Sequence, residues 1–195
     1  MILSLTLAAA ALNMAIPESD MAIGAGYYSR GAHVSGADSE YEWRHKGSNQ
    51  PSLFFTLDVP GPMAIRMGEV DHGLFRKRGF DSMRVETRSV YLMGLGTKQI
   101  ESVELSAGAG VYHWTHFAGL WSSRDPDTDR QHSGSSVAAM ASAGWSFDRV
   151  TASAEAIHFH NLMDGNSGVR DDSGDNFESG DIDMLFLGVS MTYRF

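Results

Sequence analysis

Cysteine is absent from the 195 residues, which excludes a disulfide framework and any thiolate metal site. Its absence is compatible with an oxidising compartment. Proline is scarce, at five residues, while glycine is frequent, at 21. Amphipathic helical periods are nearly missing. A basic surface is missing too: the net charge of −9 argues against a nucleic-acid partner, which would need a positive face. The apolar opening run, MILSLTLAAAALNMA, is too short to cross a bilayer as a helix. What remains is a single all-β domain, long enough to enclose a core.

That opening run reads as the apolar region of a secretory signal over residues 1–15, with 16–195 as the mature domain. The usual basic start is missing, and Asn13 is not the small residue expected before a cleavage after Ala15. A short N-terminal helix is the other reading.

Past residue 20, apolar and polar residues alternate in recurring segments. The pattern predicts eight strands, near 21–33, 51–59, 62–70, 83–94, 101–115, 134–146, 149–162 and 182–195. The last is the clearest. Leu185, Leu187, Val189, Met191, Tyr193 and Phe195 form one apolar row. Gly188, Ser190, Thr192 and Arg194 form the other, which turns apolar at Met184 and Phe186. Connections alternate in length. PGP, GTKQ and FDR are short, whereas GADSEYEWRHKGSNQ, DHGLFRKRGFDS, FAGLWSSRDPDTDRQHSG and MDGNSGVRDDSGDNFESG are long. An up-and-down barrel explains this rhythm, with long loops at one end and short turns at the other. Alternation alone does not say which face is inside. In water the apolar row fills the barrel, and in a bilayer it faces lipid.

Two residue patterns favour the bilayer. One is the export segment. The other is charge: Arg30, Arg66, Arg84, Glu86, Arg88, Glu104 and Glu155 can share the face opposite the apolar rows, with both signs present. An eight-stranded barrel is just wide enough for side chains to fill, so such a set would plug the interior. A solvated outer face of a soluble barrel has the same alternation. The expected lipid-facing rows are Leu53, Phe55, Leu57 and Val59; Val103, Leu105, Ala107, Ala109 and Val111; and Val137, Ala139, Ala141 and Ala143. Tyr91, Trp145, Phe147, Tyr193 and Phe195 would supply interfacial aromatics.

The final row, Leu187, Val189, Met191, Tyr193 and the terminal Phe195, resembles the assembly signal of Gram-negative outer-membrane proteins. The layout of the whole chain resembles the small eight-stranded outer-membrane β-barrels. The resemblance implies a bacterial outer-membrane location, capture by the outer-membrane assembly machinery, and contact with membrane lipid and lipopolysaccharide. A monomer with no cofactor and no metal is expected.

Chemistry is suggested most by AEAIHFHN, residues 154–161. If Glu155 points inward, His158 and His160 point outward, on the side of Asp181 and Asp183 in the next strand. A histidine beside a carboxylate is the base–orienter half of a hydrolytic triad. The stretch resembles the lipid A 3-O-deacylase family, barrels with His-x-Ser-Asn near the end of strand seven and an acidic residue opening strand eight. That resemblance implies acyl hydrolysis at His158, Asn161 and Asp183, with His160 standing where the family has its serine. The same histidines also suit an interfacial role near lipopolysaccharide phosphates, or a metal held with Asp183. DGNSGVRDDSGDN suits a solvated loop or a calcium site, and FRKRG (75–79) a solvated loop or a phosphate contact. Three functions stay open: a plugged barrel with a structural or surface-interaction role, a lipid A acyl hydrolase, and a narrow porin for small solutes. Lumen charges oppose the last.

Overall fold

The computed structural model describes residues 21–29, 32–35, 43–45, 50–77, 80–120, 130–163 and 182–195. The expected signal segment at 1–15, Asp181, and residues 121–129 and 164–181 lie outside them. The regular elements described are all strands: β1 (Met21–Tyr28), β2 (Ala32–Ser35), β3 (Trp43–His45), β4 (Gln50–Val59), β5 (Met63–Lys77), β6 (Phe80–Ile100), β7 (Val103–Leu120), β8 (Arg130–Phe147), β9 (Val150–Met163) and β10 (Ile182–Arg194).

These ten segments build eight antiparallel staves. β2 meets β10 at Ala32–Leu185, just past the end of the β1–β10 ladder at Tyr28–Gly188, so β2 continues the line of β1. β3 pairs with β5 at residues 75–77, beyond the β4–β5 ladder, and so continues β4. β1 pairs with β4 on one side and β10 on the other, which closes the sheet. The terminal Phe195 N–H donates to the Met21 carbonyl at the seam. Closure leaves the membrane-embedded backbone no open edge, the condition for a sheet to span a bilayer.

The tight turns share one end with β1's start and β10's finish. Ile100 pairs with Val103 and Phe147 with Val150, each across two residues, and Val59 with Met63 across three. Glu101 and Asp148 take positive φ there, as does Gly61 in PGP. The connections over 121–129 and 164–181 leave from the other end. DHGLFRKRGFDS, expected as a long loop, is a correction: β5 and β6 stay paired through it up to Lys77–Phe80. The turn expected at GTKQ falls instead at residues 101–102, because Thr97 to Ile100 remain in the β6–β7 ladder.

Polarity is inverted relative to a soluble protein. Leu53 is 70% exposed, Val189 61% and Phe147 73%, and Leu187, Met191, Val111, Val137, Tyr27 and Ile23 also face out. Trp145, Phe147, Tyr193 and Phe195 are exposed beside the tight-turn end, as an interfacial girdle requires. Tyr91 is a correction: it points into the barrel and is buried. β6 carries Tyr91, Met93 and Leu95 inward and Val90 and Leu92 outward, so the apolar character of both its rows hid its register from sequence reading.

From Trp145 to Ser135 the outward row of β8 climbs about 34 Å of strand at ~3.4 Å per residue. At a tilt of ~40° that is roughly 26 Å of height, the thickness of an outer-membrane apolar band. The upper edge of the band therefore passes near Ser135, and near His113, which pairs with it in β7. β6 has 21 residues and β7 and β8 have 18 each. Crossing needs only about 9–11, so these strands continue well above the band. There the β7–β8 ladder runs on to Ala118–Arg130, whereas the β8–β9 ladder ends at Ala138–Phe159.

Candidate functional site

Inside the barrel, glycines on the inward rows make room for large rings. A Cβ on Gly68 would come 2.6 Å from the Tyr91 hydroxyl, and one on Gly134 would sit 2.3 Å from the Trp114 ring. Those spaces allow three layers to form in the lumen.

The middle layer is ionic. Arg66 on β5 and Glu155 on β9 are buried and joined across the barrel, with Arg66 Nη1 2.8 Å from Glu155 Oε1 and Nη2 3.0 Å from Oε2. This two-pronged geometry is the strong form of a guanidinium–carboxylate contact. Glu155 also accepts from the Tyr28 and Ser190 hydroxyls. Arg66 Nε donates to Tyr91 Oη at 3.2 Å, and the Arg66 guanidinium lies 3.4 Å above the centre of the Phe54 ring. The carboxylate and guanidinium are thus saturated from several staves, which a buried pair needs to offset its desolvation. As partners of this pair, Tyr28, Tyr91, Ser190 and Phe54 were not singled out by the sequence. Ser190 and Phe54 lie on rows whose alternation marks them as inward, whereas Tyr28 follows Gly24 and Gly26, and glycine makes that alternation hard to see.

The layer toward the long loops is aromatic, as the apolar turn of the last strand's inner row at Met184 and Phe186 had indicated. Tyr112, Phe159, Phe186, Met184, Ile157 and Leu162 are fully buried or nearly so. Phe159 packs edge-on against Tyr112, with centroids 5.0 Å apart, and against His72 at 4.6 Å. His72 is itself buried, and its Nε2 lies 2.6 Å from Ser89 Oγ. The apolar stretch of β10's inner row, Met184 and Phe186, belongs to this cap.

The third layer is a polar recess on the tight-turn side, lined by Asp58, Thr97, Glu104, Ser106, Arg149 and Arg194 among others, with Arg66 and Glu155 as its ceiling. Arg194 Nη2 lies 3.3 Å from Asp58 Oδ2 and 3.6 Å from Glu104 Oε2.

The expected lumen charges therefore divide. Arg66, Glu155 and Glu104 face inward. Glu86 and Arg88 do not: they are exposed on the outward row of β6, and Arg88 Nε lies 3.7 Å from Asp71 Oδ2. The reason is length. β6 rises above the apolar band, so its outer row there meets water and carries charge without penalty. Arg30 and the side chain of Arg84 lie outside the described residues, as do the side chains of FRKRG.

A second constellation lies on the outer wall. His158, His160 and Asp183 all point outward near the top of the band. His160 Nδ1 is 2.8 Å from Asp183 Oδ1, and His158 Nε2 is 3.9 Å from Asp183 Oδ2. A β-bulge creates this arrangement. Asn161 adopts φ +52°, its N–H donates to Asp183 Oδ1 at 2.9 Å, and the β9–β10 register shifts between Ile182 and Met184. From inside, the Tyr112 hydroxyl donates to the His160 carbonyl at 2.6 Å. Among the described residues, no group of three or more His, Cys, Asp or Glu is placed to hold a metal ion.

A closed eight-strand sheet with apolar residues outside and an ion pair at its centre defines a transmembrane β-barrel. Its fold is shared with solved outer-membrane barrels. OprG from Pseudomonas aeruginosa matches with a TM-score of 0.62 at 10% identity, over 91% of this chain and 97% of that one. Neisserial surface protein A matches with a TM-score of 0.59 at 8% identity, over 90% and 97%. No protein-family model matches the sequence, and no curated protein does.

Proposed function

We propose that this protein is a sealed barrel of the bacterial outer membrane whose work is done on its outside, through the surface it raises above the lipid. The packing of the lumen supports the reading: an aromatic cap lies over the saturated Arg66–Glu155 pair, and the polar recess lies beneath that pair. Extension of β6, β7 and β8 above the apolar band supports a surface-interaction role, since that sheet offers contact area to an external partner or to lipopolysaccharide. The outward row of β10, from Leu187 to Phe195, is the assembly tag in this reading, and the barrel acts as a monomer. Planar-bilayer recording tests the seal: the purified protein should give no unitary conductance, and steady single-channel steps would restore the porin reading.

The outer-wall histidines favour a second reading, an acyl hydrolase acting on lipid A. Its support is the short His160–Asp183 contact on a lipid-facing wall. Release of fatty acid from purified lipopolysaccharide, abolished by His158→Ala or His160→Ala, is the expected result. A wild-type protein that releases none removes this reading.

A further inference from the structure

The hydrolase reading lacks a nucleophile, because His160 occupies the place where a serine would be expected. The structure offers a hydroxyl elsewhere on the same wall. His113 on β7 and Ser135 on β8 are directly opposed in the ladder and share the outward face. His113 Nδ1 lies 3.0 Å from Ser135 Oγ, within reach for proton transfer. Both residues are exposed.

Height gives the pair its meaning. It sits at the upper edge of the apolar band, roughly 26 Å above Trp145. Below it the outward row is apolar, with Val111, Ala109, Val137 and Ala139. In a bilayer the ester carbonyls lie at this border, between acyl chains and headgroups. An acyl chain lying along Val137 and Ala139 would bring its ester to Ser135.

We propose that Ser135 and His113 are the nucleophile and base of an acyl-ester hydrolase site facing the outer leaflet. This rests on the second functional reading above. Ser135 Oγ attacks the ester carbonyl while its proton passes to His113 Nδ1. The tetrahedral intermediate collapses, the ester C–O bond breaks, and the departing alkoxide takes the proton from His113. Water then attacks the acyl-serine, giving its proton to His113. The free fatty acid leaves as Ser135 Oγ regains a proton.

The test uses the folded protein in detergent micelles and in vesicles containing lipopolysaccharide. A fluorophosphonate probe should label Ser135, identified by peptide mapping. Ser135→Ala should lose the label and the release of fatty acid while keeping the closed barrel, read from heat-shifted gel mobility. His113→Gln should slow labelling roughly 10²-fold. Absence of labelling, or labelling at another serine only, overturns the proposal. Fatty-acid release that survives Ser135→Ala but not His160→Ala overturns this nucleophile and leaves the hydrolase reading standing. No release from the wild type removes both.

Discussion

Arg66 and Glu155 show how much of this barrel's stability is held by single side chains. Each is buried, and each has the other as its main counter-charge. Removing one leaves the second uncompensated in a dry interior, a loss of about 3–5 kcal/mol by analogy with other buried pairs. Glu155→Gln and Arg66→Met should each lower the urea midpoint of unfolding from vesicles. The double variant R66M/E155M should lose less than the sum, because a matched apolar pair leaves no orphan charge. Gly68 makes a second test. Gly68→Val would drive its side chain into the Tyr91 hydroxyl that receives the Arg66 Nε–H. Overpacking of this kind costs about 1–3 kcal/mol, read in the same unfolding experiment.

At the scale of elements, β10 and β6 are built for different surroundings along their lengths. Val189 lies midway along β10's outer row, between Asp183 at the rim and Phe195 at the girdle. Val189→Arg should destabilise by about 2–4 kcal/mol, as an arginine at the bilayer midplane does in other barrels. Glu86→Lys, on the outer row of β6 above the band, should change stability by less than about 0.5 kcal/mol. Phe195→Ala separates assembly from stability. Refolding into vesicles from urea should be near normal, while the amount of folded barrel in cells falls if the terminal phenylalanine is read as a tag. Equal yields in cells would show that β10 closes the barrel without being read.

For the whole molecule, the order of layers decides what passes. In the sealed-barrel reading, ionic pairing at mid-height and aromatic packing at the outer mouth act as two independent seals. Breaking one alone, with R66A/E155A, should leave the barrel non-conducting, because Tyr112, Phe159 and Phe186 still close the mouth. Adding F159A and Y112A should produce unitary conductance in planar bilayers. Conductance from the ionic double variant alone would show that the aromatic cap is not a barrier.

Alternation and turn chemistry are local properties, so the chain itself determined the all-β class, the eight staves, the tight turns at PGP and FDR, and the outward rows of β4, β8 and β10; the loop rhythm misplaced DHGLFRKRGFDS, because polar residues on a strand that continues above the bilayer read like a loop. The outward position of His158 and His160 followed from the same two-residue period once Glu155 was placed inside. Register across strands was not available, because pairing partners lie far apart in sequence and each is set by closure of the sheet. Only the folded barrel brought Tyr28, Arg66, Tyr91 and Glu155 to one point, turned Tyr91 inward and Glu86 and Arg88 outward, and set Ser135 beside His113. The physical reason is shared by all of these. A strand's period says which residues lie on the same face, but the neighbouring strands and the height of the bilayer decide what that face meets.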